Sequence, residues 1–245
     1  MGLARYFWWV VGGLSVLALW ASSASYAATT TGLVGPKEPE GGGPIAEYVE
    51  SYLGYRSQLF AFDQWQNWML TIALLGIGLL AAGLFSRSGR GLSTEPAEWG
   101  ASALGSGAVV AAVAQVAYLG AVERTLAVSG IEHFDAGSLA TMVDAASRAD
   151  DYVENLGFLM MAIGLILLAV TRRAWVGHTR AIRIASSVPA IVIVAVIATS
   201  FAQSDLAMPT LLVVGLVVAP AWIFVVVRTL GAQTDEPASR VVGRG

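Results

Sequence analysis

A short stretch near the middle of the chain, IEHFD at residues 131–135, carries three side chains that can ligate a metal. Glu132, His133 and Asp135 place two carboxylates and an imidazole close together, and such oxygen and nitrogen donors bind zinc or copper. No second cluster of potential ligands accompanies them. The stretch is a candidate metal site, and a polar loop in which Asp135 caps the following helix is the simpler interpretation.

The sequence contains few other side chains that could serve in catalysis or hold a cofactor. The chain has no cysteine, which excludes disulfides, thiolate metal sites and cysteine nucleophiles. Its two histidines, His133 and His178, lie outside the apolar runs, so a bis-histidine haem between helices is not expected. No phosphate loop, dinucleotide fingerprint, zinc-protease helix or nucleophile elbow is present. We therefore expect a non-enzymatic protein with no catalytic residues, no cofactor and no nucleic-acid partner.

The densest basic stretch is TRRAWVGHTRAIR, which carries four arginines: Arg172, Arg173, Arg180 and Arg183. Guanidinium groups at a membrane surface attract anionic headgroups, at about 1 kcal/mol per residue. They are also able to dock a cytoplasmic partner. Setting the topology of the chain is the simplest role for them, with lipid contact as a by-product.

Long apolar runs separate these polar stretches and determine the fold class. The chain of 245 residues is 56% hydrophobic and only 13% charged, whereas soluble domains are about 25% charged. A membrane-crossing helix needs about 20 apolar residues. Five runs meet or approach that length: Trp68–Phe85, Trp99–Val122, Leu156–Val170, Ile184–Ala202 and Pro209–Val227. The sequence thus predicts an all-α, polytopic transmembrane helix bundle with five mature spans.

The N-terminal segment decides whether a sixth span exists. Arg5 precedes the apolar run Phe7–Ala21, and Ser25 and Ala27 are small residues at the positions that a signal peptidase reads. This order is typical of a signal peptide over residues 1–27, cleaved after Ala27. The alternative is an uncleaved signal-anchor helix, which raises the count to six.

The charged residues predict the orientation. Nine arginines fall on one side of the five runs: they lie in residues 86–98, in residues 171–183, at Arg228 and in the cytoplasmic tail 231–245. Thirteen of the seventeen acids fall on the other side. The positive-inside rule places the arginine-rich side in the cytoplasm and the N-terminal arm outside it. Five tryptophans are expected to anchor the spans at the headgroup level: Trp65, Trp68, Trp99, Trp175 and Trp222. We expect a multi-pass protein of an inner or plasma membrane.

Outside the membrane we expect two polar regions. Residues 28–64 form an extracytoplasmic arm, in which residues 45–60 have helical spacing of apolar side chains and predict an amphipathic helix on the membrane or against the bundle. Tyr48 and Tyr52 of that helix are candidate contacts with lipid or a partner. The transmembrane bundle covers residues 65–230, with an acidic outer loop at 123–154.

Inside the five spans the sequence shows no titratable residue, which argues against a proton-coupled transporter. Gln115 lies well within its run and is expected to hydrogen-bond between helices. Small residues four apart, as at Ala103 and Gly107, predict close helix packing. Pro189 and Pro220 are expected to kink their helices.

These observations favour an accessory or scaffolding subunit of a larger membrane complex. Its partners are expected to be membrane lipids and other membrane subunits or further copies of the chain. One alternative is a small transporter or channel for a neutral or apolar solute. The other is a membrane protein that binds a metal on its outer face through the IEHFD stretch.

Overall fold

A computed structural model of the chain describes residues 3–35, 45–88, 95–129, 136–172, 174–175, 178–201 and 206–232. These residues form long helices joined by short turns. The helices are α1 (Leu3–Thr30), α2 (Ile45–Arg87), α3 (Glu95–Ser129), α4 (Ala136–Val170), α5 (Thr179–Phe201), α6 (Ala207–Val213) and α7 (Ala219–Ala232), and a π-helical turn, Val214–Val218, joins the last two.

Six helical segments in the described residues are long and apolar enough to cross a membrane. They are Arg5–Thr30, Ser57–Arg87, Glu95–Thr125, Arg148–Val170, Thr179–Thr199 and Pro209–Ala232. The prediction of a transmembrane helix bundle is confirmed. The five runs of the sequence all correspond to spans, and the N-terminal segment supplies a sixth helix of the same kind.

Neighbouring helices run antiparallel. On α1, Trp8 lies against Gly83 of α2, and Ser15 lies against Gly76, about two turns earlier along α2. The order reverses along the two helices, so they form a hairpin. We name the two ends of the bundle after residues there: the Thr30 end, which also holds Ser57 and Arg148, and the Arg87 end.

The closest pair of helices is α3 with α4. A Cβ atom added to Gly107 would lie 2.5 Å from the carbonyl oxygen of Gly157, and one added to Gly100 would lie 2.9 Å from that of Gly164. The missing side chains let the two backbones touch, which strengthens dispersion contacts between helices in a membrane. Glycines seven residues apart on both helices thus determine this interface.

Two polar regions are more helical than the sequence predicted. The helix expected at residues 45–60 is present but is not separate, because α2 continues from Ile45 to Arg87 without a break. The outer loop expected at 123–154 is largely helical, since α3 extends to Ser129 and α4 begins at Ala136. Hydropathy marks where a helix leaves the membrane, whereas the backbone hydrogen bonds continue past that point.

The sixth span is interrupted. It starts as α6, widens into the π-helical turn and continues as α7. Pro220 follows the turn, and a proline cannot donate the backbone hydrogen bond that the carbonyl of Leu216 receives in a regular α-helix. The indole Nε1–H of Trp20 on α1 donates to that same carbonyl, at 3.1 Å.

The five tryptophans that the sequence predicts as anchors differ in exposure. Trp65, Trp68 and Trp99 are exposed on the bundle surface, as interfacial anchors are. Trp175 and Trp222 are instead buried, at 1% and 3% exposure. Each donates its indole N–H inside the protein, Trp175 to the carbonyl of Leu84 and Trp222 to Oγ of Ser186, both at 3.1 Å. The indole N–H groups of both residues have acceptors within the protein, so neither residue requires a position at the headgroup level.

Candidate functional site

A cavity of about 920 Å³ lies between the spans. Residues from all six spanning segments line it, which places it in the interior of the bundle. Ligand pockets in proteins have volumes of about 300–1,000 Å³. The cavity is therefore large enough for a small organic molecule.

The lining changes character along the bundle. Towards the Thr30 end it is polar, with hydroxyls of α1 such as Ser22 and Thr30 and amides such as Gln66 and Asn155. At the depth of Ile77 and Leu104 it is apolar. This order arises because polar residues occupy the ends of α1 to α4 that meet at the Thr30 end. A molecule that fills the cavity would meet a polar surface at one end and an apolar surface at the other.

The charged groups in the lining are mostly acidic. Four carboxylates line the cavity, those of Asp63, Asp150, Asp151 and Glu154, together with one guanidinium, that of Arg148. Asp63 is 8% exposed although it lies inside the second spanning segment. Burying an ionised carboxylate away from water costs on the order of several kcal/mol unless other groups stabilise it. Carboxyl groups thus outnumber cationic groups by four to one among the charged side chains that line the cavity.

Glu154 is the acid that lies deepest in α4. It is about 9 Å along the helix axis from Arg148, the first residue of that spanning segment. Its Oε1 atom accepts a hydrogen bond from Nε2 of Gln115 on α3, at 2.8 Å. Gln115 is 5% exposed and also lines the cavity. The predicted interhelical amide therefore has a carboxylate as its partner.

Asp150 carries an unsatisfied acceptor. Its Oδ1 atom is buried and has no hydrogen-bond partner among the residues that the structure describes. An ionised carboxylate can only accept hydrogen bonds, and leaving a buried acceptor unpaired is costly. A donor placed in the cavity beside Asp150 would remove that cost.

The floor of the cavity is apolar. Trp222 of α7 lines it together with side chains such as Leu165 and Ile193. The hydrogen bond from Trp222 to Ser186 fixes the indole ring between α5 and α7. The π-helical turn also lines the cavity through Val214 and Gly215.

Of the candidate residues from the sequence, Gln115 lines the cavity. Glu132, His133 and Asp135 fall outside the described residues, as does Arg173. Tyr48 and Tyr52 lie in α2, and the structure describes their backbone but not their side chains. Arg172, Arg180 and Arg183 are exposed and do not line the cavity. The described residues contain no group of three or more potential metal ligands.

The sequence did not predict the acidic part of the cavity. The five apolar runs hold no titratable group, but the longer helical segments that contain them include Asp63 and Glu154. These residues precede the apolar runs that begin at Trp68 and Leu156. The signal available in the sequence was the spacing of Asp150, Asp151 and Glu154, which places Asp150 and Glu154 on one helix face.

Comparison of the chain with protein-family models, with curated proteins and with solved structures finds no match.

Proposed function

We propose that this membrane protein transports a small organic cation with an apolar body, which binds in the cavity between its spans. The observation that carries the proposal is the unpaired Oδ1 of Asp150 in a cavity with a net excess of carboxylates. An ammonium group donates hydrogen bonds and compensates negative charge, so it suits Asp150 and Glu154 together. The apolar floor suits the rest of such a molecule.

Aromatic side chains support a cationic ligand. Four tyrosines line the polar part of the cavity: Tyr26, Tyr55, Tyr118 and Tyr152. The faces of aromatic rings attract cations, by about 0.5–2 kcal/mol per contact. Rings and carboxylates that surround one space are the surroundings that an alkylated ammonium group prefers.

The interrupted sixth span favours transport over simple binding. In many transporters the substrate site lies beside a discontinuous helix near the middle of the membrane. Here the π-helical turn Val214–Val218 lines the cavity, and Pro220 lies two residues after it. Such a helix bends at less cost than a regular one, because part of its backbone hydrogen bonding is already altered.

The solute differs from the one that the sequence favoured. A neutral or apolar solute was expected because the apolar runs hold no titratable group. Ionisable residues inside spans commonly mark substrate or ion pathways, and Asp63 and Glu154 supply two of them.

A binding experiment on the purified full chain tests the proposal. The probes are benzyldimethylammonium, which keeps one N–H donor, the neutral N,N-dimethylbenzamide and the anionic benzenesulfonate, which share a benzene ring and differ in charge. We expect binding of the cation, weaker binding of the amide and none of the sulfonate. Asp150→Asn should raise the Kd for the cation about tenfold or more, since hydrogen bonds to charged groups contribute about 1.5–3 kcal/mol.

Glu123→Gln is the matched control, because Glu123 is exposed near the same end of the bundle and does not line the cavity. It should leave the Kd unchanged. Uptake of the radiolabelled cation into liposomes that contain the protein then tests transport. Equal affinity for cation and sulfonate would contradict the choice of solute, and binding without uptake would contradict transport.

The accessory-subunit hypothesis is a second candidate, supported by the helical extensions. Residues 45–56 of α2 and 136–147 of α4 continue beyond the spanning segments at the Thr30 end, each by about 18 Å. Helices that project from a membrane offer a surface for another subunit. Native mass spectrometry of the protein extracted in mild detergent tests this hypothesis: a stoichiometric companion supports it, and a lone monomer or homo-oligomer counts against it.

The metal hypothesis at Glu132, His133 and Asp135 also stays a prediction. It requires stoichiometric zinc or copper in the purified protein. The metal should be lost when all three residues are replaced by Ala. An unchanged metal content in that variant would remove the hypothesis.

We further propose that the protein lies in an inner or plasma membrane with its Arg87 end in the cytoplasm, as the arginine distribution suggests. Because the natural chain has no cysteine, single-cysteine variants report the sidedness. Ser51→Cys should react in intact cells with a maleimide that does not cross membranes. Arg180→Cys should react only after the cells are opened. The reverse result would show that the protein has the opposite orientation.

A further inference from the structure

We infer that the N-terminal hydrophobic segment is retained in the working protein, as a permanent span that closes one wall of the cavity. This inference goes beyond the proposed transport function and does not depend on it. Its basis is the set of contacts that α1 makes with α2 and α7, including a hydrogen bond that the sixth span needs.

The hydrogen bond joins Trp20 to the interrupted part of the sixth span. Pro220 has no backbone N–H, so the carbonyl of Leu216 lacks its regular α-helical donor. The indole of Trp20 donates to this carbonyl at 3.1 Å. Lipid chains offer no donor, and an unsatisfied backbone group is costly in a bilayer. Removal of residues 1–27 would therefore remove from the sixth span the side-chain donor that α1 supplies to the carbonyl of Leu216.

Shape complementarity extends along the whole helix. Gly12 lies against Val227 and Ile223 of α7, and Ser23 lies against Gly215 in the π-helical turn. Close to Gly12, near the start of α1, the rings of Trp9 and Phe224 meet edge to face, with centroids 5.9 Å apart. A segment that serves only as a secretion signal needs a basic start, an apolar stretch and small residues at the cleavage site. It needs no face matched to the rest of the protein.

The buried face of α1 also contributes to the cavity. Ser22 and Thr29 are 6% and 7% exposed and line it, together with Tyr26 on the same face. Without α1 the cavity would open towards lipid on the side that α1 now covers. The wall is therefore part of the site.

The proposed cleavage point lies inside a regular helix. Ala27 and Ala28 belong to α1, which continues to Thr30. Ser25, the other residue that a signal peptidase reads, is 6% exposed. Once the bundle has folded, this position is therefore poorly accessible to proteases, which cut most readily at exposed, locally unfolded chain.

The test is the intact mass of the full chain, expressed with a C-terminal affinity tag and purified from its membrane. We expect a mass that includes residues 1–27. Ala27→Leu, which introduces a large residue at the cleavage position, should leave the processing state unchanged. A wild-type mass that lacks residues 1–27, restored to full length by Ala27→Leu, would overturn the inference.

A stability comparison provides a second readout. Trp20→Phe keeps an aromatic ring but removes the N–H donor, and we expect Tm to fall by about 2–4 °C, the range for the loss of one hydrogen bond in a chain of this size. Trp99→Phe is the control, since Trp99 is 69% exposed at the surface of α3, and its Tm should not change. Equal Tm values for the two variants would contradict the role of Trp20. Both readouts are independent of cation binding, so failure of the transport proposal would leave them unaffected.

Discussion

Nε2 of Gln115 on α3 lies 2.8 Å from Oε1 of Glu154 on α4 and donates a hydrogen bond to it. The pair joins the two most closely packed helices at the acidic part of the cavity. The amide orients the carboxylate, which helps to hold it in the bundle interior. The contact is thus a structural bond between helices and also part of the candidate site.

Gln115→Leu should lower the free energy of unfolding by about 1–3 kcal/mol, because it leaves the carboxylate of Glu154 without its donor. Combining it with Glu154→Met should restore part of the loss, since both partners are then apolar. The measurement is unfolding monitored by circular dichroism in mixed micelles. Gln58→Leu is the control, because Gln58 is exposed on α2. Strictly additive effects of the two substitutions would show that the pair is not coupled.

Close packing of α3 on α4 gives a second prediction. A Cβ atom at Gly157 would lie 2.7 Å from the backbone nitrogen of Ala111 and 2.8 Å from the carbonyl oxygen of Gly107. Both neighbours are backbone atoms, so the helices must separate. Gly157→Ala should therefore destabilise the protein by about 1–3 kcal/mol.

Gly120→Ala is the matched control for that substitution. Gly120 lies on α3, and a Cβ atom there would meet nothing within 4 Å. Alanine suits a helix better than glycine, by about 0.5–1 kcal/mol, so Gly120→Ala should leave Tm unchanged or raise it. If Gly157→Ala behaved in the same way, α3 and α4 would not pack as described.

The last five spans and their order could be predicted from the sequence because long apolar runs have few alternatives to crossing a membrane, whereas cleavage of the N-terminal segment was favoured over a sixth span. The direction in which each side chain points could not. Trp222 and Trp99 both lie near a span boundary in the sequence, yet Trp222 is buried at 3% exposure and Trp99 is 69% exposed. An apolar helix face looks the same to a hydropathy scale whether it meets lipid or another helix.

The site was harder to predict than the fold. Asp63 and Glu154 precede their apolar runs by a few residues, so a hydropathy reading assigns them to loops. In the bundle they point inwards, where Asn67 and Gln115 supply polar neighbours. Whether an acid at a span boundary faces water or the interior depends on the rotation of the helix, which tertiary packing determines. The composition of one segment carries no such information.

Arg87 provides a third prediction. Its guanidinium lies over the indole ring of Trp8, 5.5 Å from the centroid, and donates to the carbonyl of Leu230 near the C-terminus of α7. The carbonyls at the end of a helix have no donors within it, and a cation there also interacts favourably with the helix dipole. The planar guanidinium makes both contacts at once, which the ammonium group of lysine does not.

Arg87→Lys should therefore lower the free energy of unfolding by about 1 kcal/mol, from the lost stacking and hydrogen bonding. Arg180→Lys serves as the control because Arg180 is exposed at the same end of the bundle. Thermal unfolding of both variants measures the difference. Equal Tm values would mean that the arginine at position 87 acts only through its charge.

The last prediction concerns the floor of the cavity, where Trp222 donates to Oγ of Ser186. Ser186 is 0% exposed, so its hydroxyl has no access to solvent. Trp222→Phe and Ser186→Ala should each destabilise the protein by about 0.5–1.5 kcal/mol through loss of this bond, with an added cost for the smaller ring. The double variant should cost less than the two single variants together, because the bond can be lost only once. Chemical unfolding of all four proteins measures the coupling free energy. A coupling near zero would show that packing, and not the hydrogen bond to Ser186, holds the ring of Trp222.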